Sequence, residues 1–139
     1  MAIHLTIVNE HELIVMQWMG EIDDSDSAVA LQSYATHPDA RAGQNILSDM
    51  SGITHGYFDL PKRLALQTSL DRVLSTGEKP RTIVYYAPHD TSQQLATQYA
   101  KLWESTPLIT AHVVSDEGEA LNLLNLPYDS MANVTDLLK

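Results

Sequence analysis

The sequence predicts a single α/β domain with a mostly parallel five-stranded sheet, one antiparallel edge strand and about four helices. Two apolar runs near the N-terminus are separated by a short polar segment, which is typical of an antiparallel hairpin. After that hairpin, strand-like runs alternate with segments of helical periodicity, in the order ββαβαβαβα. The chain has 139 residues, 44% of them hydrophobic, so one domain of this size can bury a substantial core.

The hairpin is predicted from alternation and from its short turn. Ile3, Leu5 and Ile7 alternate with polar residues, as in a half-buried strand. A second apolar run spans residues 13–18, and Gly20 is predicted to end it. Asp23, Asp24 and Ser25, which follow, favour the start of a helix because they can cap its amide groups and the acids match its dipole.

The remaining elements alternate strictly between strand and helix. Predicted strands cover residues 45–48, 81–86 and 109–114. Predicted helices begin near Asp59–Pro61, at an Asp90-x-x-Gln93 capping box and at an Asp116-x-x-Glu119 capping box. Helical spacing places Tyr99 and Trp103 in the core. We assign residues 1–125 to the domain, and residues 126–139 to a C-terminal extension that could form a short docking helix.

Charge and composition exclude several classes of function. The net charge is −10, and residues 1–40 hold seven acidic residues and no Lys or Arg, so nucleic-acid binding is not expected. The chain has no cysteine, its six histidines show no metal-ligand spacing, and it has no glycine-rich phosphate loop. We therefore expect no metal and no cofactor. Without a basic, apolar leader or a long apolar run, the expected location is the cytoplasm.

The segment 45–59 is the predicted functional centre. It starts as a buried strand, reaches Asp49, and is predicted to continue as a polar turn containing Gly52 and Gly56 before an aromatic pair. Open α/β sheets place their sites at such carboxyl ends of strands. The candidate ligand-binding residues are Asp49, His55, Tyr57, Phe58, Leu60, Leu64, Tyr86 and His89. The aromatic pair is predicted either to plug the core or to gate an apolar pocket.

Three passages carry a family resemblance: LSDMSGIT from residue 47, RTIVYYAP from residue 81 and VVSDEGEALNLL from residue 113. Together with the hairpin they resemble the SpoIIAA-like family of bacterial proteins, which belongs with STAS domains and the CRAL-TRIO lipid-transfer fold. Asp49, Met50, Ser51 and Ile53 match the first half of the STAS pattern. Where that family carries an Asp–Ser pair with a phosphorylated serine, this chain has Tyr57-Phe58.

The resemblance implies two non-enzymatic functions. The first is binding of a small apolar or lipid-like ligand under a mobile helix at residues 59–74, hinged at Gly52 and Gly56. Lys62 and Arg63 would then make transient contact with an anionic membrane surface. The alternative is a STAS-like protein-interaction module that lacks the phosphorylatable serine. Whether the chain forms a homodimer is left open.

A third, weaker hypothesis is hydrolysis. Ser51 and a histidine at a neighbouring strand end, His55 or His89, would form a triad with an aspartate. The sequence has no G-x-S-x-G motif to support this arrangement.

Overall fold

The computed structural model describes residues 2–138 and confirms the predicted fold class. Five strands form one sheet in the order β1-β2-β3-β4-β5, with β1 antiparallel at one edge and the other neighbours parallel. The strands are β1 Ile3–Val8, β2 Leu13–Ile22, β3 Asn45–Gly56, β4 Arg81–Tyr86 and β5 Ile109–Val114. The helices are α1 Asp24–Ala35, α2 Leu60–Leu74, α3 Asp90–Trp103, α4 Glu117–Leu123 and α5 Met131–Leu137.

The strand order determines where the helices lie. Each parallel strand pairs with the strand just before it in the chain, and crossovers between parallel strands are almost always right-handed, so α1, α2 and α3 share one face of the sheet. Residues of these helices pack with Ile14, Ile46 and Ile83 from the sheet in one cluster. The other face holds a second cluster in which α4 and α5 pack against Leu47 and Val84.

The C-terminal residues contribute to that second cluster. Met131 and Val134 of α5 are buried in it, and Leu126 and Tyr128 pack against it. The hydroxyl of Tyr128 also lies 2.8 Å from Nε2 of His11, in the turn between β1 and β2. Residues 126–138 therefore pack onto the same sheet as the rest of the domain.

The predicted polar turn after Asp49 is wrong, because β3 continues through it to Gly56. β2 also continues past Gly20 to Ile22, and the two strands stay paired with two shifts of register. Gly20 adopts φ +74° between those shifts, a conformation that glycine reaches without strain. Bulges of this kind let two long strands remain paired while they bend.

Gly52 and Gly56 lie within β3, where neighbouring atoms approach them closely, and not in the polar turn that was to act as a hinge. Neither has a positive φ. A Cβ atom on Gly52 would lie 2.8 Å from the carbonyl oxygen of Trp18, and one on Gly56 would lie 2.9 Å from Cδ2 of Leu95. At Gly52 the backbone of β2 approaches too closely for a side chain, whereas at Gly56 the close contact is with the flexible end of the Leu95 side chain on α3.

We expect Gly52→Ala to lower the free energy of unfolding by about 1–3 kcal/mol, as overpacking does elsewhere. The new methyl group would meet backbone of β2, which cannot move aside as a flexible side chain can. Urea denaturation would measure the change. Gly118→Ala, in α4, is the matched control: its Cβ meets only the end of the Asp116 side chain, and alanine favours helix, so stability should hold or rise. Equal behaviour of the two variants would contradict the packing role of Gly52.

Candidate functional site

The end of β3 and the start of α2 are held together by short-range polar contacts. The Asp59 carboxylate accepts a hydrogen bond from the Lys62 amide at 3.2 Å and caps α2, and Pro61 occupies the first turn as expected. The backbone amide of Asp59 donates to Oδ2 of Asp24, the first residue of α1, at 3.3 Å. The capping residues thus fix the N-termini of α1 and α2 beside each other.

The aromatic pair at this junction divides between core and surface. Phe58 packs against the helix-covered core, with its ring centroid 6.0 Å from that of Tyr99. Tyr57 is 54% exposed, and its hydroxyl donates to the Glu21 carboxylate at 3.1 Å. This hydrogen bond to an anion, with the nearby negative charge, raises the pKa of Tyr57 above its ordinary value. Phe58 therefore has the predicted plugging role, and Tyr57 faces solvent.

Two leucines extend the apolar surface along α2. Leu60 and Leu64 are each 49% exposed, and their spacing of four residues places them on one side of the helix. Together with Tyr57 they define what we call the docking surface: Tyr57, Leu60 and Leu64. Single exposed apolar residues are ordinary, but three within eight residues of the chain make this segment the candidate interaction site.

An acidic groove adjoins the docking surface. This open groove of about 590 Å³ lies between the N-terminus of α1 and the β3–α2 junction, and Tyr57 lies in its wall. Three carboxylates and one lysine line it: Asp23, Asp24, Asp59 and Lys62. Its predominant charge is negative.

Arg63 lies in the protein interior, so the prediction that it contacts a membrane surface is wrong. The residue is 3% exposed, because its position on α2 points toward the core together with Leu70 and Leu74. Its guanidinium lies 3.9 Å from the centroid of the Tyr99 ring and 3.8 Å from Oδ1 of Asp24. Lys62, the other predicted contact, is exposed.

Asp49 and Tyr86 lie away from the docking surface. They are register partners on β3 and β4, and alternation along β3 puts Asp49 on the same face as Leu47, which packs with α4 and α5. Burial, followed by the charges of Glu117, Asp49 and Asp116, raises the pKa of Tyr86. The structure does not bring these two residues together with Phe58, Leu60 and Leu64 in one pocket.

The two candidate histidines have separate surroundings. His55 is exposed near the end of β3, opposite Glu21 of β2. His89 caps α3, where its Nδ1 accepts from the Ser92 amide at 3.5 Å, so the helix begins one residue earlier than the predicted Asp90 cap.

The geometry at Ser51 does not match the triad expected for a hydrolase. The Ser51 hydroxyl donates to the Asp49 carboxylate at 2.7 Å. Nε2 of His89 lies 3.0 Å from the backbone carbonyl oxygen of Ser51, not from its hydroxyl. A general base must reach the proton that it removes, and no imidazole among residues 2–138 is hydrogen-bonded to that hydroxyl. Within residues 2–138, no group of three or more metal-ligating side chains could hold an ion.

The enclosed space beneath α1 and α2 is small. An internal cavity of about 50 Å³ lies between these helices and the sheet, against roughly 300–1,000 Å³ for pockets that take drug-sized ligands. None of the eight predicted ligand-binding residues is among those that line it. None of the helices in the described part of the chain is long and apolar enough to cross a membrane.

No protein-family model and no curated protein matches the sequence. Among solved structures, the chain is similar to the anti-sigma factor antagonist SpoIIAA in its unphosphorylated form. The TM-score is 0.52 at 17% sequence identity, and the match covers 89% of this chain and 96% of that one. The chain therefore has a SpoIIAA-like fold of the STAS type, as the sequence resemblance indicated.

The buried residues around Arg63 are the part of the site that sequence reasoning missed. The positive charge of Arg63 suggests a position at the protein surface. Helical spacing contained the opposite signal, since Arg63 precedes Leu70 by seven residues and thus lies on the same face of α2.

Proposed function

We propose that this chain is a regulatory protein-interaction module of the STAS type, which binds its partner through the docking surface. The observation that carries the proposal is the half-exposed apolar set Tyr57, Leu60 and Leu64 at the end of a parallel strand. A few anchor residues, among which tyrosine is enriched, supply most of the binding energy in protein interfaces. The proposal involves no catalytic step.

The chemistry of the surroundings indicates the kind of partner. Asp23 and Asp59 in the groove and Glu21 beside Tyr57 make the charge next to Tyr57 mainly negative. A complementary partner carries an apolar anchor flanked by Lys or Arg, because opposite charges at the rim speed encounter and exclude other partners. Serine is absent from positions 57–60, so a phosphoserine there does not control binding.

The lipid-binding hypothesis has weaker support. A lipid beneath α2 needs a cavity several times larger than the 50 Å³ that the helices enclose. The predicted glycine hinge is also replaced by paired strand. The exposed leucines can contact a protein partner without any rearrangement of α2.

We expect a photo-crosslinking amino acid at position 60 to capture one discrete partner in the native host, because this position lies in the proposed interface. The same amino acid at position 123 is the control, since Leu123 is also partly exposed but lies on α4. Products would be identified by mass spectrometry. The same products from both positions, or none from position 60, would contradict the proposal.

The captured partner then allows a quantitative test. We expect the double variant Leu60→Asp/Leu64→Asp to weaken partner binding by about tenfold or more in calorimetry. Two apolar side chains that the complex would bury become charged. Both side chains are about half exposed in the free chain, so the free energy of unfolding should change by no more than about 0.5 kcal/mol. Unchanged affinity in this folded variant would show that the partner binds to another surface of the chain.

A further inference from the structure

The two halves of α2 are held to the protein by different kinds of contact. In the C-terminal half, Leu70 and Leu74 are buried in the helix-covered core, and the carbonyl oxygen of Leu74 accepts a hydrogen bond from Nε of Arg81 at 2.8 Å. All three guanidinium nitrogens of Arg81 donate hydrogen bonds within the protein. Apolar burial and a complete hydrogen-bond network therefore fix this half of the helix.

The N-terminal half, residues 59–67, has few apolar contacts. Arg63 is its only buried residue, and Leu66 is its one apolar side chain that packs partly against the core. The Arg63 guanidinium lies over the Tyr99 ring at 3.9 Å, and Nη1 lies 3.8 Å from Oδ1 of Asp24, which supplies the counter-charge. A buried ion pair contributes little net stability, because the desolvation of both charges offsets their attraction.

Gln67 weakens the attachment of this half further. The nitrogen and the oxygen of its side-chain amide are both buried, and neither has a hydrogen-bond partner among residues 2–138. Burial of such a group removes its hydrogen bonds to water and returns none within the protein. The closed position of residues 59–67 is thus opposed by a cost that is relieved when the amide becomes exposed to solvent.

We infer that residues 59–67 form a flap, which opens away from α1 while the C-terminal half of α2 and the rest of the domain stay folded. Opening hydrates the Gln67 amide and the Asp24–Arg63 pair, and it gives up little apolar burial. So short a segment is not a stable helix once it is detached, so the flap also unfolds as it opens. Regions with few buried apolar contacts open at a lower free energy than the whole protein.

The flap carries Leu60 and Leu64 of the docking surface, so its opening regulates the proposed interface. This consequence rests on the proposed function, whereas the opening itself is a property of the free chain. A partner that contacts both leucines on the closed helix binds the closed state and holds the flap shut. The population of the closed state then limits the affinity of the docking surface.

Thiol labelling measures the opening directly, because the chain has no cysteine of its own. Ser27→Cys places a thiol on the inner face of α1, where Ser27 is 6% exposed and lines the same cavity as Arg63. Ala96→Cys is the control, at a fully buried position of α3. Labelling by N-ethylmaleimide would be followed by mass spectrometry, with each rate divided by that of the same variant unfolded in urea. We expect Ser27→Cys to be labelled about tenfold faster or more, at a rate that low urea concentrations do not change.

Glycine substitutions show which helix opens. Ala65→Gly, at an exposed position of the flap, should accelerate labelling of Ser27→Cys by about three- to fivefold, because glycine favours the unfolded segment. Ala28→Gly, at an exposed position of α1, is the matched control and should leave that rate unchanged, because α1 stays folded in the open state. Gln67→Leu, which removes the unpartnered amide, should slow labelling by about tenfold.

Hydrogen exchange of the wild-type chain decides the question where a variant fails to fold. Amides of residues 64–67 should exchange faster than those of residues 95–103 in α3, after correction for intrinsic rates. Equal exchange of the two segments, or equal labelling of Ser27→Cys and Ala96→Cys, would overturn the inference. Equal acceleration by Ala28→Gly and Ala65→Gly would overturn it too, since α1 would then open as well. Failure of crosslinking at position 60 would count against the proposed function alone, because these rates are measured without a partner.

Discussion

Replacement of Arg81 with methionine is expected to lower the free energy of unfolding by about 3–5 kcal/mol, because several buried acceptors lose their donor at once. Arg81 joins the end of α2, through the Leu74 carbonyl, to the loop before β3, through the Gln44 and Arg41 carbonyls. Methionine fills much of the same space and donates nothing. Since domains are stable by only about 5–15 kcal/mol, this variant should be close to unfolding at 37 °C.

Urea denaturation monitored by tryptophan fluorescence would measure the Arg81→Met effect. Arg41→Met is the matched control, because that side chain is 57% exposed and pairs with Glu12 only across 3.6 Å at the surface. Exposed ion pairs contribute about 0–1 kcal/mol, so this control should be nearly neutral. A loss below about 1 kcal/mol in Arg81→Met would show that water replaces the guanidinium at the carbonyls.

Replacement of Tyr99 with alanine should cost a similar amount, about 3–5 kcal/mol, as truncation of a large buried aromatic residue does. Tyr99 is fully buried beneath α2, and its ring centroid lies 5.7 Å from that of Trp18 and 6.1 Å from that of Tyr85. The same burial raises the pKa of its hydroxyl. Removal of the ring also leaves the Arg63 guanidinium without the aromatic face that it contacts.

Tyr57→Ala is the control for that substitution. Tyr57 is 54% exposed, so its loss should change stability by no more than about 0.5 kcal/mol. Thermal and urea denaturation of both variants would give the two values. Similar losses of unfolding free energy in the two variants would mean that Tyr57 packs as a core residue. Tyr57 could then not belong to the docking surface.

The fold could be predicted from sequence because its signals are local. Alternation in β1, helical spacing around Tyr99 and the capping residues Asp23, Asp59 and Asp116 each depend on neighbours within about one helical turn. The length of β3 could not be predicted in this way. It depends on pairing with a bulged β2 that is distant in sequence, and glycines in such a segment are more often part of a turn.

The candidate site was predictable only in part. The sequence indicates the aromatic pair as a candidate site, but its division into a partly buried Phe58 and an exposed Tyr57 depends on the positions of α3 and Glu21. Asp49 and Phe58 both lie at or just after the end of the predicted strand, so the sequence places them in one site. Their separation depends on which face the helices cover, which the alternation along β3 alone does not reveal.

Strand order that follows chain order has a consequence for synthesis on the ribosome. No strand of this sheet has to be inserted between two strands that are already paired, since each joins the outer edge left by its predecessor. The sheet can therefore grow in the direction in which the polypeptide emerges, and each new strand closes only the loop formed by its own crossover helix. Short loop closures favour fast folding. The growing edge is exposed only until the next strand arrives, and we expect this to limit aggregation of nascent chains.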